Sequence, residues 1–181
     1  MKDSEILYQG KVLIYPTDTI WGIGCDARNV DAIKKIKLIK GRDNTKSLIL
    51  LVKDLMMLKD YVEYIPQVAI NMINSTKQPT TIIYSKAKNL PITHLSVNES
   101  IGIRIPHNDY LYKLFQEFDY PIVSTSANFS GSPSPLKFTD IDKDFLSKAD
   151  YVSLYNRDID NGSNASSIYL IEKDNTLTKI R

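Results

Sequence analysis

The 181-residue sequence contains one cysteine, Cys25, and two histidines, His94 and His107. A single cysteine excludes an internal disulfide, and together with two histidines it falls short of a four-ligand Cys/His zinc site. We therefore expect no metal ligands. Cys25 is interpreted as a small buried hydrophobe, because no histidine lies near it in the sequence. His107 follows a proline and is interpreted as a surface residue rather than a catalytic base.

Long hydrophobic runs are absent as well. The longest continuous apolar stretch, Leu48–Val52, is far shorter than the ~20 residues that a membrane span needs. The first residues, Met1–Gly10, lack the apolar core of a signal peptide. The apolar content of 43% and charged content of 24% are ordinary for a globular protein. We expect a cytoplasmic chain that folds as one domain over residues 1–181.

The common nucleotide-binding signatures are missing. The sequence has no Gly-x4-Gly-Lys-Ser/Thr motif, which excludes a P-loop, and Gly22-Ile23-Gly24 lacks the third glycine of a dinucleotide fingerprint. Although the net charge is only +2, six of the thirteen residues in Lys34–Lys46 are lysine or arginine. This segment is either a solvated helix face with a polar loop or a contact surface for polyphosphate or nucleic acid.

The hydrophobic pattern predicts alternating strands and helices. Ile33, Ile36 and Ile39 indicate a helix that Asn29 or Asp31 can cap and that Gly41 ends. Helices are also predicted on both sides of Pro66 within Asp54–Asn74, and over Asp109–Phe118. Strands are predicted at these segments: Lys11–Tyr15, Leu48–Val52, Thr80–Tyr84, Ile101–Ile105, Pro121–Val123, Tyr151–Leu154, Ser167–Ile171 and Leu177–Ile180. The order predicts an α/β (mixed α+β) fold with a mixed, twisted sheet and flanking helices.

Four polar segments are hard to explain as core. Pro16-Thr17-Asp18-Thr19 follows a strand, and its hydroxyls can hold a small polar ligand or simply cap a turn. Lys40-Gly41-Arg42, with Lys46 beyond it, suits a polyphosphate or completes a helix C-terminus. Arg104 interrupts an apolar strand and needs an anionic partner. The fourth segment, Ser124–Asn128, is either a serine-rich turn or a phosphate-binding loop.

The joint order of these segments resembles the YrdC family of threonylcarbamoyl-AMP synthases, in its short single-domain form. The resemblance covers about Gly10–Ser167 and depends most on Lys40-Gly41-Arg42 and on Ser124–Asn128. It implies a YrdC-like mixed sheet around a basic concave cavity. It also implies a reaction in which L-threonine, bicarbonate or CO2, and ATP with Mg²⁺ give L-threonylcarbamoyl-AMP and pyrophosphate. A separate transferase then modifies certain tRNAs.

The resemblance implies roles for individual residues. Lys40 and Arg42 correspond to the phosphate-gripping pair, with Lys46 as a third ATP contact. The nucleotide side further includes Thr81, Ser126, Asn128 and Ser166. The threonine side includes Thr17, Thr19, Arg104 and Ser124. The sequence departs from the family pattern where Lys77-Gln78-Pro79 replaces Pro-Gly-Pro, Trp21 replaces tyrosine, and Asp43 replaces proline.

A function from another class also accounts for part of the sequence. The basic segment Lys34–Lys46 fits an RNA-binding module, for tRNA or double-stranded RNA, without catalytic activity. Thr17, Thr19 and Arg104 have no role in such a module. The two readings are not exclusive, since a synthase for tRNA modification can also contact tRNA.

Overall fold

The computed structural model describes residues 1–41, 48–91, 99–158 and 165–181. Its α-helices are α1 (Asp3–Tyr8), α2 (Val30–Lys40), α3 (Leu55–Tyr61), α4 (Gln67–Ser75), α5 (Asp109–Glu117) and α6 (Lys143–Lys148). Its strands are β1 (Leu13–Tyr15), β2 (Gly22–Asp26), β3 (Ile49–Leu51), β4 (Thr80–Tyr84), β5 (Ile101–Arg104), β6 (Ile122–Ser126), β7 (Tyr151–Val152), β8 (Ser167–Ile171) and β9 (Leu177–Lys179). A 3₁₀ turn covers Phe138–Asp140. None of the helices in these ranges is long and apolar enough to cross a membrane.

Across the described ranges, the strands form one nine-stranded sheet in the order β7-β1-β2-β6-β3-β5-β4-β8-β9. Three neighbouring pairs are parallel: β1 with β7, β3 with β5, and β4 with β8. The remaining pairs are antiparallel. The predicted mixed sheet with flanking helices is therefore confirmed.

Helix α2 follows the sequence pattern closely. Of the two candidate caps, Asn29 is the one used, and its side chain accepts a hydrogen bond from the Ala32 amide at 3.0 Å. The isoleucines Ile33, Ile36 and Ile39 are buried. Gly41 ends the helix in the left-handed conformation, with φ of 57°. This ending makes Lys40 the last helical residue.

Strand β2 was not predicted, nor were the short helices α1 and α6. Gly22 and Gly24 lower the strand propensity of β2, and the segment has no clear alternation of polar and apolar residues. It is nevertheless a strand because it pairs with β1 on one side and β6 on the other, and each of its residues is buried. Tertiary pairing overrides local propensity here.

Glycines and serines leave space above one face of the sheet at β2, β5 and β6. Gly22 lies opposite Ser126, and Gly24 lies opposite Ser124. Directly opposite residues point to the same face. Because Ile49 pairs with both Ser124 and Gly102, this face continues across β3 to β5, where Arg104 follows two residues after Gly102. The face therefore carries glycines and serines together with Ile49 and Arg104.

Gly24→Ala is expected to destabilise the fold by about 1–3 kcal/mol, the usual cost of overpacking. Its Cβ would lie 2.2 Å from the Val123 carbonyl oxygen and 2.8 Å from the Tyr15 hydroxyl. The carbonyl belongs to the neighbouring strand and cannot shift without disturbing the β2–β6 ladder. The measurement is the free energy of unfolding in urea.

Gly22→Ala is the matched control on the same strand and face. Its Cβ would meet its nearest atom, the Thr17 methyl, at 3.2 Å, and side chains there can adjust by a few tenths of an ångström. A clearly smaller loss of stability is expected. Equal losses for the two variants would contradict the close-packing account.

Candidate functional site

A cavity of about 260 Å³ lies over the open face of the sheet. The turn after β1, the ends of β5 and β6, the segment before β8, and the end of the chain contribute to its wall. Its lining residues are Thr17, Thr19, Ile20, Gly22, Ile49, Arg104, Ser124, Thr125, Ser126, Ser134, Ala165, Ser166, Ile168 and Arg181. Segments far apart in the sequence thus meet at one site.

The cavity brings together most of the residues that the sequence singled out. The predicted residues in its wall are Thr17, Thr19, Arg104, Ser124, Ser126 and Ser166. Three other predicted residues, Lys40, Thr81 and Asn128, lie outside the wall. Arg42 and Lys46 lie outside the described residues. The roles of these residues toward a ligand stay predictions.

A directional chain of hydrogen bonds runs through the two threonines. The Thr17 hydroxyl donates to the Ile20 carbonyl oxygen at 2.7 Å, so its oxygen accepts from the Thr19 hydroxyl at 2.9 Å. Arg104 Nη1 donates to the Thr19 hydroxyl oxygen at 3.2 Å. Because each hydroxyl has only one proton, the chain has a single direction. It fixes the turn against the end of β5.

Arg104 has the anionic partner that its burial requires. Its Nη2 lies 3.2 Å from Asp18 Oδ1, and the two side chains are 3% and 5% exposed. The sequence left open whether Arg104 pairs with a protein acid or with a ligand. The structure shows the protein pair, yet Arg104 also lines the cavity. Its Nε is buried and has no acceptor within the described residues. Because a guanidinium has five N–H donors, Arg104 has donors beyond those that face Thr19 and Asp18, and these can serve an anionic ligand.

Lys40 lies behind the wall rather than in it. Its side chain is buried, and Nζ donates to the carbonyl oxygens of Ser126 at 2.5 Å and Asn128 at 2.8 Å. These hydrogen bonds join the end of α2 to the loop after β6. The phosphate-gripping role that the resemblance implies for Lys40 stays a prediction.

Thr81 and Asn128 also act on neighbouring protein groups. The Thr81 hydroxyl shares a 2.9 Å hydrogen bond with the hydroxyl of Ser166, which lines the cavity. Asn128 Nδ2 donates to the carbonyl oxygens of Phe129 at 3.1 Å and Ser132 at 2.6 Å. Thr81 therefore supports the wall through Ser166, and Asn128 holds its own loop.

Arg181 and Ser134 are cavity residues that the sequence interpretation missed. Arg181 Nε and Nη2 donate to the Ser166 carbonyl oxygen at 3.3 and 3.1 Å. The predicted strands Ser167–Ile171 and Leu177–Ile180 contained the signal for Arg181, because pairing them as a hairpin brings the chain end back beside Ser166. Ser134 had no comparable signal, since it lies in a loop.

The charge of the cavity wall is positive. Among the described lining residues, the charged side chains are Arg104 and Arg181, and no aspartate or glutamate lines the wall. The remaining polar groups are mainly hydroxyls. This combination suits anionic ligands and agrees with the expected basic cavity.

Cys25 does not contribute a nucleophile. It lies on β2 with its side chain fully buried, and burial raises the pKa of its thiol well above the ordinary value. A protonated, inaccessible thiol cannot attack a substrate. The cavity can therefore bind and orient reactants with Arg104, Arg181 and its hydroxyls, without a thiolate from Cys25.

Comparison with known proteins agrees with the sequence resemblance. A family model named Sua5/YciO/YrdC, with the description "Telomere recombination", matches residues 5–181. A threonylcarbamoyl-AMP synthase of Pseudoalteromonas translucida is 33% identical over 148 residues, which is 80% of this chain and 79% of that protein. A putative threonylcarbamoyl-AMP synthase of Methanocaldococcus jannaschii is 36% identical over 179 residues, which is 96% of this chain and 80% of that protein.

A solved structure shares the fold. The crystal structure of P. abyssi Sua5 complexed with L-threonine matches with a TM-score of 0.82 and 26% identity. The match covers 96% of this chain but 51% of that protein, so this chain spans about half the length of that Sua5. The family model, the sequence relatives and the fold give the same assignment: the chain belongs to the Sua5/YciO/YrdC family.

Proposed function

We propose that this chain is an L-threonylcarbamoyladenylate synthase and thus a nucleotidyltransferase. Its relatives carry the name threonylcarbamoyl-AMP synthase, and P. abyssi Sua5 has been crystallised with L-threonine. The observation that carries the proposal is that Arg104 and Arg181 both line one cavity whose other polar groups are mainly hydroxyls. The reaction joins two substrates that carry anionic groups, the carboxylate of an amino acid and the phosphates of a nucleotide, and each arginine can serve one of them.

The threonine end is centred on Arg104. Arg104 lines the cavity, and those N–H donors of its guanidinium that do not face Thr19 or Asp18 are suited to the α-carboxylate of L-threonine. The Ser124 hydroxyl lines the same end and can bind the amino or hydroxyl group of the substrate. Thr17 and Thr19 also line this end, but their hydroxyl protons are used in the hydrogen-bond chain, so they shape the turn beside the substrate. The pair with Asp18 keeps the guanidinium from rotating away.

The nucleotide end is centred on Arg181. Its guanidinium is anchored on the Ser166 carbonyl, and the hydroxyls of Ser126, Ser134 and Ser166 line the same region of the wall. Thr81 holds Ser166 from behind. These groups can form charge-assisted hydrogen bonds with phosphate oxygens. Arg42 and Lys46 complete the proposed ATP contacts from outside the described residues.

The chemistry needs no covalent enzyme intermediate. The ammonium group of threonine loses one proton to solvent, and the neutral amine nitrogen then bonds to the carbon of CO2 and releases a second proton to solvent, which gives a carbamate. A carbamate oxygen then attacks the α-phosphorus of ATP, the bond from that phosphorus to the bridging oxygen breaks, and pyrophosphate leaves. The protein positions the two reactants and stabilises the growing negative charge with its arginines and hydroxyls.

Magnesium enters this scheme as part of the substrate MgATP. The described lining residues include no carboxylate, and no cluster of three or more metal-binding side chains occurs in the described ranges. The described wall therefore supplies no charged ligand for a resident Mg²⁺. The phosphates of ATP are the anionic ligands of the ion.

The product would be consumed by a separate transferase that modifies an adenosine in tRNA, and we infer that both steps take place in the cytoplasm. The alternative, an RNA-binding module without chemistry, leaves the cavity without a role. It is also weakened by the basic segment itself, since Lys35 pairs with Asp150 and Lys40 is buried. Direct tRNA contact by the remaining lysines is compatible with the synthase.

The direct test of the proposed function is pyrophosphate release. The protein is incubated with MgATP and bicarbonate, with and without L-threonine, and pyrophosphate is measured enzymatically. Release that depends on both threonine and bicarbonate is expected. Equal release without threonine would contradict the synthase. tRNA binding without any turnover would contradict it as well and would favour the RNA-binding module.

Arg104→Lys is expected to raise the Kd for threonine by about 30-fold or more while changing the Kd for ATP by less than about 3-fold. Lysine keeps the charge but cannot form the planar, two-pronged contact with a carboxylate. Threonine and ATP affinities are measured separately by calorimetry. Equal losses for both ligands, with a lower unfolding temperature, would show that Arg104 serves only the structural pair with Asp18.

Arg181→Met is expected to show the opposite pattern. The Kd for ATP should rise by about 3- to 10-fold. This loss is small for a charge-assisted hydrogen bond because Arg181 is exposed and solvent weakens the interaction. The Kd for threonine should be nearly unchanged. A loss confined to threonine would move Arg181 to the amino-acid end of the cavity.

A further inference from the structure

The loop of residues 126–134, here the 126–134 loop, contributes Ser126 and Ser134 to the cavity from its two ends. Between them the loop turns away from the wall and contains Asn128 and Ser130. A loop that supplies two contacts from its ends needs a fixed backbone between them. The structure shows which groups fix it.

Lys40 binds the start of this loop through several oxygens. Its Nζ donates to the carbonyl oxygens of Ser126 and Asn128, and the Ser126 hydroxyl lies 3.5 Å away. An ammonium has three N–H donors, and burying it is costly unless they are used. Lys40 is 4% exposed, so the loop oxygens take the place of water around the charge.

The helix end and the loop are also joined by the backbone. The Ser130 amide donates to the Lys40 carbonyl oxygen at 3.0 Å. Carbonyls in the last turn of a helix lack helical partners, so this bond satisfies one of them and holds the middle of the loop. Lys40 therefore contacts the loop through both its side chain and its main chain.

Asn128 holds the second half of the same loop. Its side-chain amide donates to the carbonyl oxygens of Phe129 and Ser132, while its own carbonyl accepts from Lys40. Neither Lys40 nor Asn128 lines the cavity. The Asn128 amide donates to main-chain oxygens, and Lys40 Nζ donates to two main-chain oxygens and to the Ser126 hydroxyl, whereas a phosphate contact would need a donor that faces the ligand.

We propose that Lys40 and Asn128 are positioning residues, which set the shape of the 126–134 loop so that the hydroxyls of Ser126 and Ser134 meet the nucleotide. The identity of the ligand as a nucleotide rests on the proposed function, but the role of Lys40 and Asn128 in shaping the loop does not. Lys40 acts on ATP through the loop rather than by gripping a phosphate.

The first experiment is hydrogen–deuterium exchange of the ligand-free protein. In Lys40→Met, amides of the 126–134 loop should exchange about 10-fold faster or more, because hydrogen bonds to a charged group are lost. Peptides from β4 and β8 should keep wild-type exchange.

Lys59→Met replaces an exposed lysine on α3 and serves as the matched control, with no change expected. Unchanged exchange in the loop of Lys40→Met would overturn the proposal, and so would faster exchange throughout the chain with a lower unfolding temperature.

The second experiment is a double-mutant cycle on ATP affinity. Lys40→Met and Asn128→Ala should each raise the Kd for ATP by about 10- to 100-fold, the range for lost hydrogen bonds to or from charged and buried groups. Since both act through the same loop, the double variant should be hardly worse than either single one. Losses that multiply would overturn the proposal and favour an independent phosphate contact by Lys40. If the wild-type protein itself fails to bind ATP, the proposed function fails, and the exchange experiment alone decides the role of Lys40 in the loop.

Discussion

Two buried cations, Lys40 and Arg104, determine how the site is built. A charge taken out of water must recover its hydrogen bonds from the protein, or folding becomes too costly. Arg104 has an ion pair with Asp18 and a hydrogen bond to Thr19, and Lys40 has hydrogen bonds to the 126–134 loop. Each cation thereby fixes a segment that lines the cavity: the turn after β1 in one case and the loop after β6 in the other.

The sheet provides the space that these cations surround. At Gly22, Gly24 and Gly102 one face of β2 and β5 carries no side chain, and Ser124 and Ser126 lie on the same face of the strand β6. Added side chains at Gly24 would collide with a backbone oxygen, whereas Gly22 borders the cavity itself. Glycines in β2 and β5 thus allow other groups to approach the backbone closely, which explains why glycines occur in these strands despite their low strand propensity.

Much of the fold was predictable because its signals are local. The spacing of Ile33, Ile36 and Ile39, with Asn29 and Gly41 at the ends, predicted α2 almost to the residue. Strand β2 could not be predicted in this way, because its stability comes from pairing with β1 and β6. The twist of the sheet and the single-domain organisation stay predictions.

The composition of the site was predictable in part, but the direction of each side chain was not. Hydroxyls and Arg104 were identified from residue type and position, and the cavity gathers them. Lys40 and Ser126 lie 86 residues apart, so no local pattern could show that one binds the other. Arg181 was missed for the same reason, since its place depends on the β8–β9 hairpin.

We propose that Arg104 keeps its ion pair with Asp18 and also binds the substrate carboxylate. A crystal structure of the protein with L-threonine tests it most directly. We expect an α-carboxylate oxygen within about 3 Å of a guanidinium nitrogen of Arg104, the usual hydrogen-bond distance, with the Asp18 pair intact. Threonine bound away from Arg104, or a guanidinium that leaves Asp18 to reach the ligand, would contradict it.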